Sequence, residues 1–306
     1  MDNAALSVES AAVMRYETAW QRVRRNLSVK LGGSALALLV LIALAAPWLG
    51  TVDPTLFDAG SRDLRPGQSG EISTLEGDTL KHTFLMGSDS FGRDIYSRVL
   101  YGARVSRVVG MACALLSLFV GTLCGLASGY LRWLDGVLMR FMDGLMAIPA
   151  ILIAIALVAL WRGSPLTVIA AIAIPEIPRV TRLVRSLVLS IREEPYVEAA
   201  ISLGTPAWKI MFSHILPNCI APLVVQGTYT CGAAILVEAI LSFLGVGLPP
   251  DIPTWGNIMA EGRVQFVEYP HNVFFPGVVL AITVLAVNIL GDGLRDTLDP
   301  KMAKRV

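Results

Sequence analysis

Long stretches almost free of charge decide what this chain can become. Leu31 to Leu49 contains no ionisable residue, and at 1.5 Å per residue a helix of about nineteen residues crosses most of a hydrocarbon core about 30 Å thick. Comparable runs follow at about Val105 to Leu131, a third ending near Trp161, a fourth starting near Leu166, then Cys219 to Leu248 and Val273 to Leu290. In lipid every backbone N–H and C=O must find its partner within the spanning element. The runs therefore predict an all-α membrane protein with six transmembrane helices. Composition agrees: 54% hydrophobic and 16% charged residues in 306, with a mean hydropathy of +0.62, exceed what an ordinary soluble domain carries.

The net charge of +1 conceals a sorted distribution and gives no support to nucleic-acid binding. Arg15, Arg22, Arg24, Arg25 and Lys30 precede the first run, which places the N-terminus in the cytoplasm by the positive-inside rule. Ala43-Leu44-Ala45 imitates a signal-peptidase site, but the polar flank and the apolar run both exceed signal-peptide dimensions. Lys301, Lys304 and Arg305 return the C-terminus to the same side. Cys113, Cys124, Cys219 and Cys231 lie in or beside apolar runs with no CxxC and no nearby histidine, the pattern of reduced packing residues rather than of a metal site.

Within the second run Ser117, Gly121, Gly125 and Gly129 recur every four residues, a small-residue face on which another helix can approach closely. Pro149 predicts a kink in the third. The fourth is apolar for only about ten residues before Pro175-Glu176-Ile177-Pro178 breaks it, and Arg179, Arg182 and Arg185 then form a cationic face as it leaves the membrane. Glu176, and Glu238 in the fifth run, are candidate pathway-lining residues, because an ionisable group in lipid must face water or a partner; for Glu238 a buried hydrogen-bonding role is the equal alternative.

Between the fourth and fifth runs stands a polar island, Glu193 to Asn218. Pro195 suits the first turn of a short helix and Gly204 its stop, where φ becomes positive. Thr205 and Pro206 suit the start of a second helix, with Ile210, Met211, His214 and Ile215 on one face until Pro217 ends it. Glu198-Ala199-Ala200, then Gly204, then His214-Ile215-Leu216-Pro217-Asn218 resembles the coupling loop of permease subunits of binding-protein-dependent ABC importers. From Leu85 to Ser106, Ile95, Val99 and Leu100 alternate with Arg93, Asp94, Arg98 and Arg104 at near-helical spacing, the pattern of an interfacial amphipathic helix; the same stretch resembles the segment before the second span in the dipeptide, oligopeptide and nickel branch, close to "GTDxxGRDxxSRxxYGAR" with Ser88 in place of Thr. Glu238 to Gly247 and Gly291 to Lys301 resemble the same branch.

The resemblance implies the type I (MetI-like) importer permease architecture in a bacterial inner membrane. It implies ATPase coupling through Glu198, Ala199, Ala200, Gly204, Lys209, His214, Leu216, Pro217 and Asn218. It also implies a second homologous permease subunit, cytoplasmic ATPase subunits that use ATP and Mg, and an extracytoplasmic solute-binding protein; peptides are the commonest cargo of the branch, with nickel chelates and glutathione among the others. The corresponding layout is a cytoplasmic segment 1–30, a first span 31–50, an outer loop 51–102 with an interfacial amphipathic helix near its end, a core 103–292 containing the loop 193–218, and a cytoplasmic tail 293–306. His214 is read as a coupling contact or a cap of backbone carbonyls.

No GxxxxGK[ST], G-x-S-x-G or H-E-x-x-H occurs, and His82, His214 and His271 are scattered, so neither catalysis nor a bound cofactor or metal is expected. The rival to an importer subunit is a self-sufficient carrier or channel. That class shows inverted repeats with paired broken helices, and no convincing internal repeat is found here.

Overall fold

The computed structural model describes residues 19–73, 79–161 and 164–298. Residues 1–18, residues 74–78, Arg162 and Gly163, and residues 299–306 with their basic cluster lie outside the described residues. A short helix α1 (Ala19–Arg25) leads into α2 (Leu27–Ala45), capped by Asn26, whose side chain accepts from the Val29 N–H at 3.1 Å. The outer loop carries an antiparallel hairpin, β1 (Gln68–Ser73) with β2 (Thr79–Phe84), so the all-α expectation holds for the membrane part only. Asp58 anchors the hairpin: the Ser73 hydroxyl and the Gly60 N–H hold its carboxyl below the usual carboxylate range.

Helix α3 (Ile95–Tyr130) is the mast of the fold. Asp94 caps it, accepting from the Ser97 N–H at 2.9 Å. The expected interfacial helix is not a separate element: Ile95, Arg98 and Val99 are the buried first turns of α3 itself. Their charges misled the pattern, because Arg98, 1% exposed, is neutralised internally by Asp89 at 2.6 Å and by Glu261, which Arg93 also pairs.

Two further helices, α4 (Arg132–Met146) and α5 (Ala150–Trp161), meet at 88°, a break rather than the expected kink. Helix α6 (Pro165–Ile191) starts at a Ser164 capping box and continues through Pro175 and Pro178 without the expected interruption. The polar element contains α7 (Pro195–Ser202) and α8 (Ala207–Ile210), followed by α9 (Leu216–Phe243), α10 (Trp255–Gly262) and α11 (His271–Leu298). Among the described residues four helical stretches are long and apolar enough to cross a membrane, or five if the α4–α5 pair counts as one. Helix α6 is not one of them, since Glu176, Arg179, Arg182 and Arg185 crowd its middle turns.

Three apolar clusters are strung along α3. The first joins Ile95, Val99 and Ala103 to Ile235, Trp255 and Ile258. In the middle Val109 and Cys113 meet Ala154, Val158, Val168 and Ala171. The third joins Leu126 to Val180, Val184, Val188, Val197, Ile210 and Ile215. Along this third cluster the small-residue face meets a valine ridge of α6 with the same four-residue step. A Cβ on Gly121, Gly125 or Gly129 would lie 2.6 Å from the Cβ of Val180, Val184 or Val188 respectively, so only glycine permits that approach. Ser117 is also buried, its hydroxyl returned to the Cys113 carbonyl at 2.8 Å. All four cysteines are free, and Cys113 and Cys219 are buried.

Candidate functional site

The element between α6 and α9 is folded as a bent finger. Glu194 precedes α7 in extended conformation with Pro195 in the first turn, where a missing N–H costs nothing. The helix stops in paired bonds, Thr205 N–H to Ala200 C=O at 3.1 Å and Gly204 N–H to Ile201 C=O at 2.9 Å, around Gly204 at φ 76°. Thr205 therefore closes α7 through its backbone, while Pro206 stands at the start of α8 with no side-chain cap.

Pro217 does not end the second helix. Its ring would crowd the Ser213 carbonyl one turn back in a regular helix, and the chain widens into a π turn over Met211–Ile215, closed by Leu216 N–H to Met211 C=O. The helix then runs on as one stretch from Ala207 to Phe243. Asn218 bridges the two arms, donating from Nδ2 to the His214 carbonyl at 2.7 Å and to the Tyr196 hydroxyl at 3.1 Å. Burial, and secondly the Glu194 carboxylate, push the Tyr196 phenol up.

One face of this finger is fixed to the fold. Val197, Ile210 and Ile215 are fully buried against Val184 and Val188 of α6, and each such aliphatic side chain contributes about 1.5–3 kcal/mol. Ala200, at 7% exposed, belongs to this inner face, not to the free one. Glu198, Ala199, Gly204, Lys209, Pro217 and Asn218 are exposed, while His214 and Leu216 are half-buried. His214 does not cap carbonyls; its own carbonyl is the one bonded, and its Nδ1 has no partner.

The other face is apolar where a polar one would be cheaper. Leu203 is 86% exposed, Trp208 63%, and Ile201 and Phe212 about half. Reading the helical stripe through Ile210 and Ile215 passes over these residues. The available signal was Trp208 and Phe212 four apart on the opposite side, with Leu203 beside the turn glycine.

The two candidate pathway-lining carboxylates sit in different settings. Glu238 is fully buried and accepts from the hydroxyls of Ser242 at 2.8 Å and Ser106 at 3.2 Å, tying α9 to α3. Glu176, nearly buried on α6, pairs with Arg179 at 3.0 Å. Arg185 of the same helix forks onto Asp135 at 2.5 and 2.7 Å, and Arg182 reaches Asp143, so the cationic face binds α4.

Helices apolar enough to cross a bilayer, joined by a bent finger with an exposed apolar tip, define an integral membrane component. The chain belongs to the family of binding-protein-dependent transport system inner membrane components, whose model matches residues 117–304. It is 47% identical over 282 residues, 92% of each chain, to a probable peptide ABC transporter permease of Sinorhizobium fredii. It is 40% identical to a dipeptide transport system permease of Alkalihalophilus pseudofirmus, covering 95% of this chain and 91% of the relative. A glutathione transport system permease of Pectobacterium atrosepticum is also 40% identical, over 92% of this chain and 90% of its own. Among solved structures, the inward-facing MetNI methionine ABC transporter gives a looser likeness, 20% identity and a TM-score of 0.48 over 63% of this chain and 94% of that one.

Proposed function

We infer that this chain is a permease subunit of an ATP-driven ABC importer that carries peptides across a bacterial inner membrane. It forms half of the pathway beside a second homologous permease subunit, in a type I architecture with six crossings in which α6 supplies the fourth and both termini are cytoplasmic. Separate ATPase subunits consume ATP and Mg, and a solute-binding protein delivers the cargo. Peptide cargo follows from the names of the relatives; the glutathione relative supports a small-peptide site of the same kind, and a nickel chelate remains the alternative within the class.

The observation that carries this reading is the finger: a polar connection whose outer face exposes Leu203 and Trp208 while its inner face is locked to α6. An ATPase closing on nucleotide would bury that apolar tip and push the finger. Val197, Ile210 and Ile215 would hand the movement to α6, and the interlocked Gly121, Gly125 and Gly129 would hand it to α3. Because Leu203 and Trp208 are exposed, a Leu203→Glu, Trp208→Glu double variant should insert and fold normally yet lose the ATPase on copurification and lose uptake. A double variant that retains both would remove the reading. Cargo is settled separately, by finding which ligand raises the melting temperature of the cognate binding protein.

A further inference from the structure

We propose that α4 is an interfacial anchor, lying in the plane of the bilayer at its inner boundary with Trp133, Val137 and Phe141 seated against lipid. The inner side is taken from the reading above; the depth and orientation follow from the geometry. Asp135 and Asp143 are eight residues apart on α4, about 12 Å, yet their partners Arg185 and Arg182 are three apart on α6, about 4.5 Å. The two axes therefore cross steeply. Helix α5 meets α4 at 88° and packs along α6 through Ala154 and Val158 against Val168, Ala171 and Ile172, which gives the same orientation independently.

The crossing point sets the depth. From Pro165, just past the exposed Trp161 at one end of α5, to Arg182–Arg185 is seventeen to twenty residues of continuous helix, about 26–30 Å. That equals a hydrocarbon core of about 30 Å, so α4 lies at the far boundary, where tryptophan is favoured.

The helix has the faces such a position demands. Trp133, Val137 and Phe141, one turn apart, are 75%, 68% and 63% exposed, whereas the acidic face is committed to α6. Arg132 and Arg140 are exposed and free to reach lipid phosphates. Only Leu131 separates α4 from α3, a helix apolar enough to span, so α4 starts at the end of a candidate membrane crossing. A Cβ on Gly136 or Gly144 would meet nothing within 4 Å, so among the described residues no other part of this chain covers this side.

Spin labels at Trp133→Cys, Val137→Cys and Phe141→Cys, introduced singly into the cysteine-replaced assembled complex in anionic-lipid nanodiscs, read this directly. The expected result is oxygen accessibility several-fold above that to a water-soluble nickel chelate at all three, at shallow depth. Chelate accessibility at the three positions, as in a water-filled path, would overturn the proposal. So would low accessibility to both reagents, as beneath a second subunit. ATPase copurification from the same preparation tests the coupling reading apart from the anchor.

Discussion

Adding one methyl group at Gly125 should unseat the mast from its neighbour. The new Cβ would stand 2.6 Å from the Val184 Cβ, 2.8 Å from the Thr181 carbonyl oxygen and 2.9 Å from the Val184 Cγ1. Carbon atoms pack at about 3.5–4.0 Å, so α3 and α6 must part by about 1 Å, loosening Gly121 against Val180 and Gly129 against Val188 as well. Overpacking of this kind costs about 1–3 kcal/mol. The better helix propensity of alanine returns roughly 0.5–1 kcal/mol, for a net loss of about 0–2.5 kcal/mol with a midpoint of about 1.25 kcal/mol. At that midpoint the folded-to-unfolded ratio falls roughly eightfold. Gly136→Ala is the matched control, because a Cβ there meets nothing within 4 Å and only the propensity gain remains. Val184→Ala should not rescue Gly125→Ala, since the valine Cβ stays; Val184→Gly should rescue it in part, leaving the Thr181 carbonyl contact. Steric-trap unfolding in bicelles measures the stabilities, and the yield of assembled complex follows them. If Gly125→Ala and Gly136→Ala were equally stable, the interlock between α3 and α6 would be wrong, and with it the route by which the finger moves the mast.

Gly204→Ala should cost about 1–2 kcal/mol from backbone strain alone at φ 76°, since no atom crowds the site, with Gly204→Asn milder; Gly204→Pro should leave the subunit inserted but separate ATP hydrolysis from uptake, measured side by side in proteoliposomes. Arg98→Ala strips the buried partner from Asp89 and Glu261 and should cost about 3–5 kcal/mol, read as a lowered melting temperature, with Arg98→Lys in between. Glu238→Ala leaves the buried Ser106 and Ser242 hydroxyls without their acceptor, a loss of about 1–3 kcal/mol by thermal unfolding, whereas Glu238→Gln keeps an acceptor oxygen and should lose less.

Much of this molecule was legible because membrane burial writes itself as runs of apolar residues, and the glycine face because four-residue spacing has one geometric meaning. The finger was legible through Pro195 and Gly204, residues whose backbone limits dictate a start and a stop. Pro217 misled because the lost hydrogen bond and the ring clash are absorbed by a π turn, a remedy that leaves no mark in local pattern. Arg98 and Arg93 suggested an interfacial face because their partner Glu261 is far along the chain, and pairing over that separation is invisible to periodicity. Helix α4 shows the same limit: Asp135 and Asp143 pair with Arg185 and Arg182 of α6, so its outward face is Trp133, Val137 and Phe141, a choice of faces that depends on partners far along the chain. The exposed tip of the finger went unread because exposed apolar residues look like core residues until the other side of the helix is seen to be taken.

The central claim is that the finger faces the cytoplasm and is gripped there by an ATPase. Its most direct test is sided labelling and crosslinking at Leu203→Cys and Lys209→Cys, both exposed, whereas the buried Ala200 would report nothing. A membrane-impermeant maleimide should react in inside-out vesicles and not in right-side-out cells, and a short thiol crosslinker should join either position to the ATPase subunit. Reaction only from the outside of intact cells would contradict the account.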